Sequence, residues 1–224
     1  MMQPWARNTK AANYAAVTCD IVGSRQIEEF RRKRDEKLRR ISKLHVKKRW
    51  ILSEYAITAW DEFEGIVSPL ANLPAVIVDL RRHFHPFELW IGIGIGEVTE
   101  PYKKPVNVYA GGVALERARE AINRLKAKRR SGVLTSFISG SEMFDLIANT
   151  VYYLHDSLLE SVSTKQWQTI SVLMDTSAQE LAARKLGLNK STVSRNLRRG
   201  YWRQMQETQL AMERIIEGYF PVAQ

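Results

Sequence analysis

The sequence predicts a chain of mixed α and β structure that ends in an all-helical segment. Strand-like and helix-like patterns alternate over the first ~150 residues. From about residue 141 onward, apolar residues recur only at helical spacing. At 224 residues the chain suffices for one large domain, or for a medium domain with a small appendix. We therefore expect an α+β layer over residues 1–140, a helical linker over 141–163 and a small all-α domain over 164–224.

The first predicted elements are a strand, a long helix and a pair of strands. YAAVT, residues 14–18, is a short apolar run of the kind found in buried strands. From Ile27 to about Lys48, apolar residues recur at helical spacing among charged ones, which predicts a long charged helix. SEYAITAWDEFEGIVS, residues 53–68, has strand-like sequence on both sides of a turn around Trp60 and Asp61.

A second helix, a glycine-rich strand, a third helix and a last strand follow. NLPAVIVDLRRHF, residues 72–84, is helical in pattern, and its Pro74 falls in the first turn, where proline is tolerated. In FELWIGIGIGEVT, residues 87–99, glycines alternate with apolar residues, so a backbone or ligand can approach one face of this strand closely. Apolar positions from Val113 predict a helix to about Arg129, and GVLTSFIS, residues 132–139, is a further strand.

The positive charge of the chain is concentrated in two regions. The formal net charge is +10, and residues 31–49 alone hold eleven Lys and Arg against two acids. Residues 164–224 hold nine basic and five acidic side chains. Localised positive charge favours a polyanionic partner such as nucleic acid or nucleotide phosphate. For residues 31–49 two interpretations stay open: a surface that helps to hold DNA, or the solvated face of the first helix.

Composition also excludes several classes of protein. Cys19 is the single cysteine, which rules out an internal disulfide framework and a cysteine zinc cluster. No apolar stretch approaches the length of a transmembrane helix, and the N-terminal segment lacks the apolar centre of a signal peptide. We therefore expect a cytoplasmic protein without a membrane partner.

The C-terminal region carries a helix-turn-helix pattern in SAQELAARKLGLNKSTVSRNLRRGYW. Ala183 lets two helices cross closely, Gly187 permits a left-handed turn, and Val193 packs the second helix inward. The core of this region is expected from Trp167, Ile170, Leu181, Leu186, Val193 and Leu197.

The second helix of this pattern should begin near Asn189 or Ser191, either of which can cap it. Polar and basic residues then lie where a recognition helix contacts phosphates and base edges. The predicted DNA-binding residues are Lys190, Ser191, Thr192, Ser194, Arg195, Arg198 and Arg199. A helical bundle that serves only dimerisation is the alternative.

Two acids occur at strand edges in the N-terminal part. Asp20 ends the first strand, and Asp61 lies at the turn between the next two. If these strands are neighbours, the carboxylates converge, and such pairs bind divalent cations that bridge nucleotide phosphates. The backbone N–H groups of Val22, Gly23 and Ser24 could cradle the same phosphates. The alternative is that Asp20 only caps the following helix.

Three motifs occur here in the order found in a known superfamily. CDIVGSR, AWDEFEG and WIGIGIGEVTE resemble the strand ends and hairpin of the nucleotidyl-cyclase and GGDEF palm proteins. The closer resemblance, over nearly the whole chain, is to the SatD family, whose members join such a region to a C-terminal helix-turn-helix. GGVALERAREAI is similar to a helix of that family. This resemblance implies a ferredoxin-like palm, with Asp20 and Asp61 as metal-binding acids and Ile21 lending a carbonyl.

The predicted function combines the two parts of the chain. We expect a DNA-binding regulatory protein whose cyclase-like palm domain binds a nucleotide or a metal, acting as a homodimer. The resemblance implies Mg²⁺ or Mn²⁺ with a nucleotide as the cofactor. Two alternatives stay open: an active nucleotidyl cyclase or nucleotidyltransferase at Asp20 and Asp61, and a degenerate palm that is only a dimerisation scaffold. Trp60 stands where the resembled proteins have a glycine.

Overall fold

Five strands build one mixed sheet. The computed structural model describes residues 13–101, 110–127 and 132–221. Its strands are β1 Tyr14–Ile21, β2 Ala56–Ile57, β3 Glu62–Val67, β4 Leu89–Gly96 and β5 Thr135–Ile138. They lie in the order β2-β3-β1-β4-β5, and β5 runs parallel to β4 while the other neighbours are antiparallel.

Eight α-helices occur in the described residues. They are α1 Phe30–Lys47, α2 Leu73–Phe84, α3 Val113–Ala127, α4 Glu142–Glu160, α5 Thr164–Thr176, α6 Gln179–Leu186, α7 Lys190–Arg199 and α8 Trp202–Tyr219. Short 3₁₀ helices cover Ser24–Gln26 and Leu70–Asn72. The expected mixture of strands followed by helices is confirmed, whereas the predicted end of α3 near Arg129 lies outside the described residues.

The first four strands are connected through helices on one face of the sheet. The chain runs β1-α1-β2-β3-α2-β4, and α3 then crosses to β5, which lies parallel beside β4. Because side chains alternate along a strand, β1 sends Val17 and Cys19 into the main core with α1 and α2. Ala16, which directly precedes Val17, packs with Ala114 and Ala118 of α3 on the opposite face.

Two glycines of β4 let α3 lie directly against the sheet. A Cβ at Gly92 would overlap the backbone of Ala118 and Ile122, and one at Gly94 would overlap the backbone of Ala114 and Ala118. The close approach predicted from the glycine pattern is therefore made by a helix backbone.

The edge strand β5 is covered by polar side chains of α4. Asn149 accepts from the N–H of Phe137 at 2.8 Å and donates to its carbonyl at 2.9 Å. Asp145 accepts from the N–H of Ser139 at 2.8 Å. These side chains satisfy backbone groups that an edge strand would otherwise present to another chain.

Residues 141–163, expected to link two domains, contain α4, whose inner side chains belong to the main core. Phe144 and Tyr152 pack there with Met212 and Ile216 of α8, so the last helix returns to the sheet. The proposed boundaries of 1–140, 141–163 and 164–224 stay a prediction.

Helices α5, α6 and α7 form a second core, which we call the trihelical module. Its buried members include Trp167, Ile170, Ala182, Ala183, Val193 and Leu197. The expectation that Leu181 lies in this core is wrong, because 49% of its surface is exposed. The buried face of the short helix α6 carries Ala182 and Ala183, the two residues that follow Leu181. Their small side chains let α6 approach its neighbouring helices closely.

Replacing Gly94 by alanine should strongly destabilise the fold. The added methyl group has no room against the α3 backbone, and overpacking of this kind costs about 3 kcal/mol of unfolding free energy. Gly218→Ala is the matched control, because nothing lies within 4 Å of its Cβ position. Alanine in α8 should raise stability slightly. Equal urea midpoints for the two variants would contradict the close helix–sheet contact.

Candidate functional site

The two predicted acids lie side by side at one edge of the sheet. Asp20 is near the end of β1, and Asp61 directly precedes β3, the antiparallel neighbour of β1. The N–H of Ile21 donates to the carbonyl of Asp61 at 3.0 Å, which fixes the two chain segments together. Both acids line one cavity of about 430 Å³.

A tight turn after β1 forms another wall of this acidic cavity. Gly23 has the left-handed φ of 68°, and Ser24 begins a 3₁₀ helix. The Ser24 hydroxyl, which is buried, donates to Oδ2 of Asp61 at 2.5 Å. The N–H of Val22 is already used, because it donates to the carbonyl of Glu88 at 3.0 Å. Among the described residues no acceptor is found for the N–H groups of Gly23 and Ser24.

Lys126, which the sequence did not single out, supplies the cation of the site. From the last turn of α3 its Nζ lies 2.6 Å from Oδ2 of Asp20 and 3.4 Å from Oε2 of Glu62. Burial raises the pKa of Asp20, Lys126 opposes that rise, and the nearby charge of Asp61 adds to it. Burial by itself would lower the pKa of Lys126, but its bond to Asp20 raises it overall. The only sequence signal was the basic end of a predicted helix.

A second group of charges continues from Asp20 across β3. Glu62 lies opposite Asp20 in the strand register and is buried beneath Arg119, with which it pairs. Glu64, two residues on, lies 3.6 Å from the same guanidinium group. Burial raises the pKa of Glu64 although Arg119 lowers it. On the sheet face under α3, the acids Asp20, Glu62 and Glu64 thus lie beside the cations Arg119 and Lys126.

Trp60 does not line the acidic cavity. Its ring is 47% exposed, stacks on Phe30 at 5.8 Å between centroids, and carries Cζ of Arg31 at 4.3 Å. It lines a neighbouring cavity of about 810 Å³ that shares Ser24, Arg25 and Asp61 with the acidic one. The indole is therefore directed beside the acids and leaves their cavity open.

The acids, as placed, do not fit a divalent metal ion. In the described ranges no group of three or more His, Cys, Asp or Glu side chains could hold a metal. Asp20 is neutralised by the ammonium group of Lys126, and Asp61 is engaged by the Ser24 hydroxyl. A cation could reach the expected ligands Asp20, Asp61 and the Ile21 carbonyl only by competing with these partners.

The residues predicted to bind DNA lie together on α7. Asn189 caps this helix, because its Oδ1 accepts from the N–H of Thr192 at 2.8 Å, while Ser191 lies inside the first turn. Six of the seven predicted residues are exposed and Thr192 is partly buried. The exposed six are Lys190, Ser191, Ser194, Arg195, Arg198 and Arg199.

The opposite face of α7 fixes the helix in the trihelical module. Val193 and Leu197 are buried in the module core, and Asn196 donates to Oγ1 of Thr169 on α5 at 3.0 Å. Gly187 has a φ of 64° between α6 and α7, as predicted for a left-handed turn. None of the four cations on α7 has a carboxylate partner in the described part of the chain. Their charge is therefore presented to solvent uncompensated.

Lys126→Met should destabilise the protein more at neutral than at acidic pH. Without the ammonium group the pKa of Asp20, already raised by burial, rises further. A folded-state pKa above the unfolded value makes ionisation unfavourable to folding, so the loss grows as pH rises past the ordinary value of 3.8. Because the Lys126 side chain is 39% exposed, we expect a loss of about 1 kcal/mol at neutral pH.

Urea unfolding of this variant at pH 7 and pH 4 measures the effect. Arg124→Met is the control, since it removes an exposed pair with Glu120 on the same helix, and its effect should be small at both pH values. Adding Asp20→Asn to Lys126→Met should recover stability at pH 7. An equal loss at both pH values would show that the Asp20–Lys126 pair does not stabilise the ionised acid.

Comparison with known proteins identifies the family of the chain. No helix in the described ranges is long and apolar enough to cross a membrane. No curated protein and no solved structure matches the sequence. One family model matches residues 14–212, which include the acidic cavity, the trihelical module and most of α8. Because the match covers most of the length of the chain, the chain belongs to the SatD family.

Proposed function

We propose that this protein is a DNA-binding regulator that uses α7 as its recognition helix. The observation that carries the proposal is the exposed, unpaired basic face of α7, held in place by the buried Val193 and Leu197. Short polar residues at its N-terminal end and arginines along its length are the groups that contact phosphates and base edges.

The geometry of the trihelical module supports a helix-turn-helix. Ala182 and Ala183 are buried where α6 approaches α7, and Gly187 makes the left-handed turn between them. In helix-turn-helix proteins the second helix of such a pair enters the major groove with its N-terminal residues on the bases. These proteins commonly bind as dimers on two half-sites, so the proposal includes a homodimer.

Removing two arginines from α7 should weaken DNA binding. For Arg195→Ala with Arg198→Ala we expect affinity for a labelled duplex to fall by about ten- to a hundredfold at low salt. The slope of log affinity against log salt concentration should fall by about two, because each lost phosphate contact releases one counterion fewer. Fluorescence anisotropy over a salt series gives both quantities.

Single variants supply the matched control for this experiment. Arg195→Ala and Arg124→Ala each remove one exposed arginine, but Arg124 lies on α3 and pairs with Glu120. Only the α7 variant should lower affinity by more than about twofold. Unchanged affinity for the double α7 variant, with circular dichroism showing an intact fold, would remove the basis of the proposal.

A second candidate function is nucleotide binding at the acidic cavity. The β1-α1-β2-β3-α2-β4 connectivity is that of ferredoxin-like folds, which supports the expected cyclase-like palm. Gly23, Ser24 and Lys126 all line the cavity, and backbone N–H groups of a turn together with a cation are groups that bind phosphate. The adjoining cavity beside Trp60 leaves room for the rest of a nucleotide.

Calorimetry with the four nucleoside triphosphates, with and without Mg²⁺, tests this candidate. We expect saturable binding to the intact protein that Lys126→Met weakens about tenfold, since it removes a charge-assisted phosphate partner, while Arg124→Met leaves it unchanged. Pyrophosphate release that is lost in Asp20→Asn would extend the activity to nucleotidyl transfer. Absence of binding would favour the palm as a dimerisation scaffold.

A further inference from the structure

Helix α1 carries a basic stripe along its exposed face. Positions 32, 39, 43 and 47 are separated by seven and four residues, so they lie on one side of the helix. Arg32, Arg39, Lys43 and Lys47 are all exposed, and Arg40 lies next to them. From Arg32 to Lys47 the stripe extends over about 22 Å.

Most of these cations have no partner within the protein. Arg32 pairs with Glu29. Within the described ranges, Arg39, Arg40, Lys43 and Lys47 form no ion pair. The acids of α1 are Glu36, which is exposed and lies within the stripe, and Asp35, which pairs with Arg34. Like charges four residues apart, as at 39, 43 and 47, destabilise a helix by about 0.2–0.5 kcal/mol each. A polyanion on this face would relieve that repulsion.

The chemistry of the stripe selects nucleic acid over other acidic surfaces. Val46 is the only exposed large hydrophobic residue on α1, whereas a membrane-surface helix needs an apolar face to insert. A protein interface would place aromatic or aliphatic anchors at its centre. A row of cations without such anchors fits a phosphate backbone.

Helix α1 is also fixed to the trihelical module through α2. Nζ of Lys37 donates to the carbonyl of His85 at 3.0 Å, and the His85 ring stacks on Trp167 of α5 at 5.8 Å. A second chain of contacts begins at Lys48, directly after α1. Nζ of Lys48 lies 3.1 Å from Oδ2 of Asp79, and Nε of Arg82 lies 3.1 Å from Oδ1 of the same carboxylate. Nη1 of Arg82 then lies 2.6 Å from Oδ1 of Asp175 on α5.

We infer that the stripe of α1 is a second DNA-binding surface, one that contacts the phosphate backbone only. This inference rests on DNA being the partner proposed for α7. The stripe contributes affinity without sequence preference, because phosphate contacts carry no base information. The trihelical module then supplies sequence readout, and the contacts through α2 keep the two surfaces in a fixed arrangement.

Two double variants test the inference in the full chain. Arg39→Gln with Lys43→Gln removes two charges from the stripe, and glutamine keeps the helix propensity. Arg124→Gln with Arg214→Gln removes two exposed charges elsewhere. Binding to two labelled DNA duplexes of unrelated sequence is measured over a salt series. We expect the affinity of the stripe variant to fall by about ten- to a hundredfold on both duplexes. The slope of log affinity against log salt concentration should become smaller by about two.

The outcomes separate this inference from the proposed function. Equal affinities for the stripe variant and the control pair would overturn the inference. So would a stripe variant that loses binding to vesicles of phosphatidylcholine with one quarter phosphatidylglycerol while keeping DNA affinity. If the α7 variants bind DNA normally but the stripe variant does not, the recognition role of α7 fails and the stripe stands. Circular dichroism of each variant confirms that it is folded.

Discussion

The direct contact between the α3 backbone and the glycines of β4 is the constraint on which the acidic site depends. With side chains at positions 92 and 94 the helix would lie farther from the sheet. At its present distance, Arg119 pairs with Glu62, and Lys126 at the last turn reaches Asp20. The acids can thus be buried because a helix is close enough to bring cations to them, and such partners offset the cost of burying a carboxylate. The packing of α3 on the glycines of β4 therefore determines which cations lie beside the buried acids of β1 and β3.

A buried carboxylate has a comparable role between the two cores. Asp79 on α2 accepts from Lys48 and pairs with Arg82, and His45 lies 3.5 Å away. These partners hold the pKa of Asp79 well below its ordinary value despite burial, which by itself would raise it. Because Arg82 also pairs with Asp175, the same cluster connects the sheet layer to the trihelical module. A small group of ion pairs thus joins α2 to α5 and to the segment directly after α1.

Local pattern was sufficient to predict the strands, most helices and the two acids, because each depends on residues close in sequence. YAAVT, the hairpin around Asp61 and the glycine alternation of β4 all have their predicted conformations. Lys126 could not be found in this way, since its meeting with Asp20 depends on how α3 crosses the sheet. The exposure of Leu181 shows a related limit: a helix of eight residues is too short for periodicity to fix its inward face.

The covered edge of the sheet restricts how copies of the protein can assemble. Strand β5 has its outer backbone groups bonded to Asn149 and Asp145, and β2 at the other edge is only two residues long. Neither edge offers a template for a continuous intermolecular sheet. A symmetric pair of subunits would therefore have to meet through helices, with the twofold axis passing between side chains and not between hydrogen-bonded strands. The same feature protects the chain against strand-mediated aggregation.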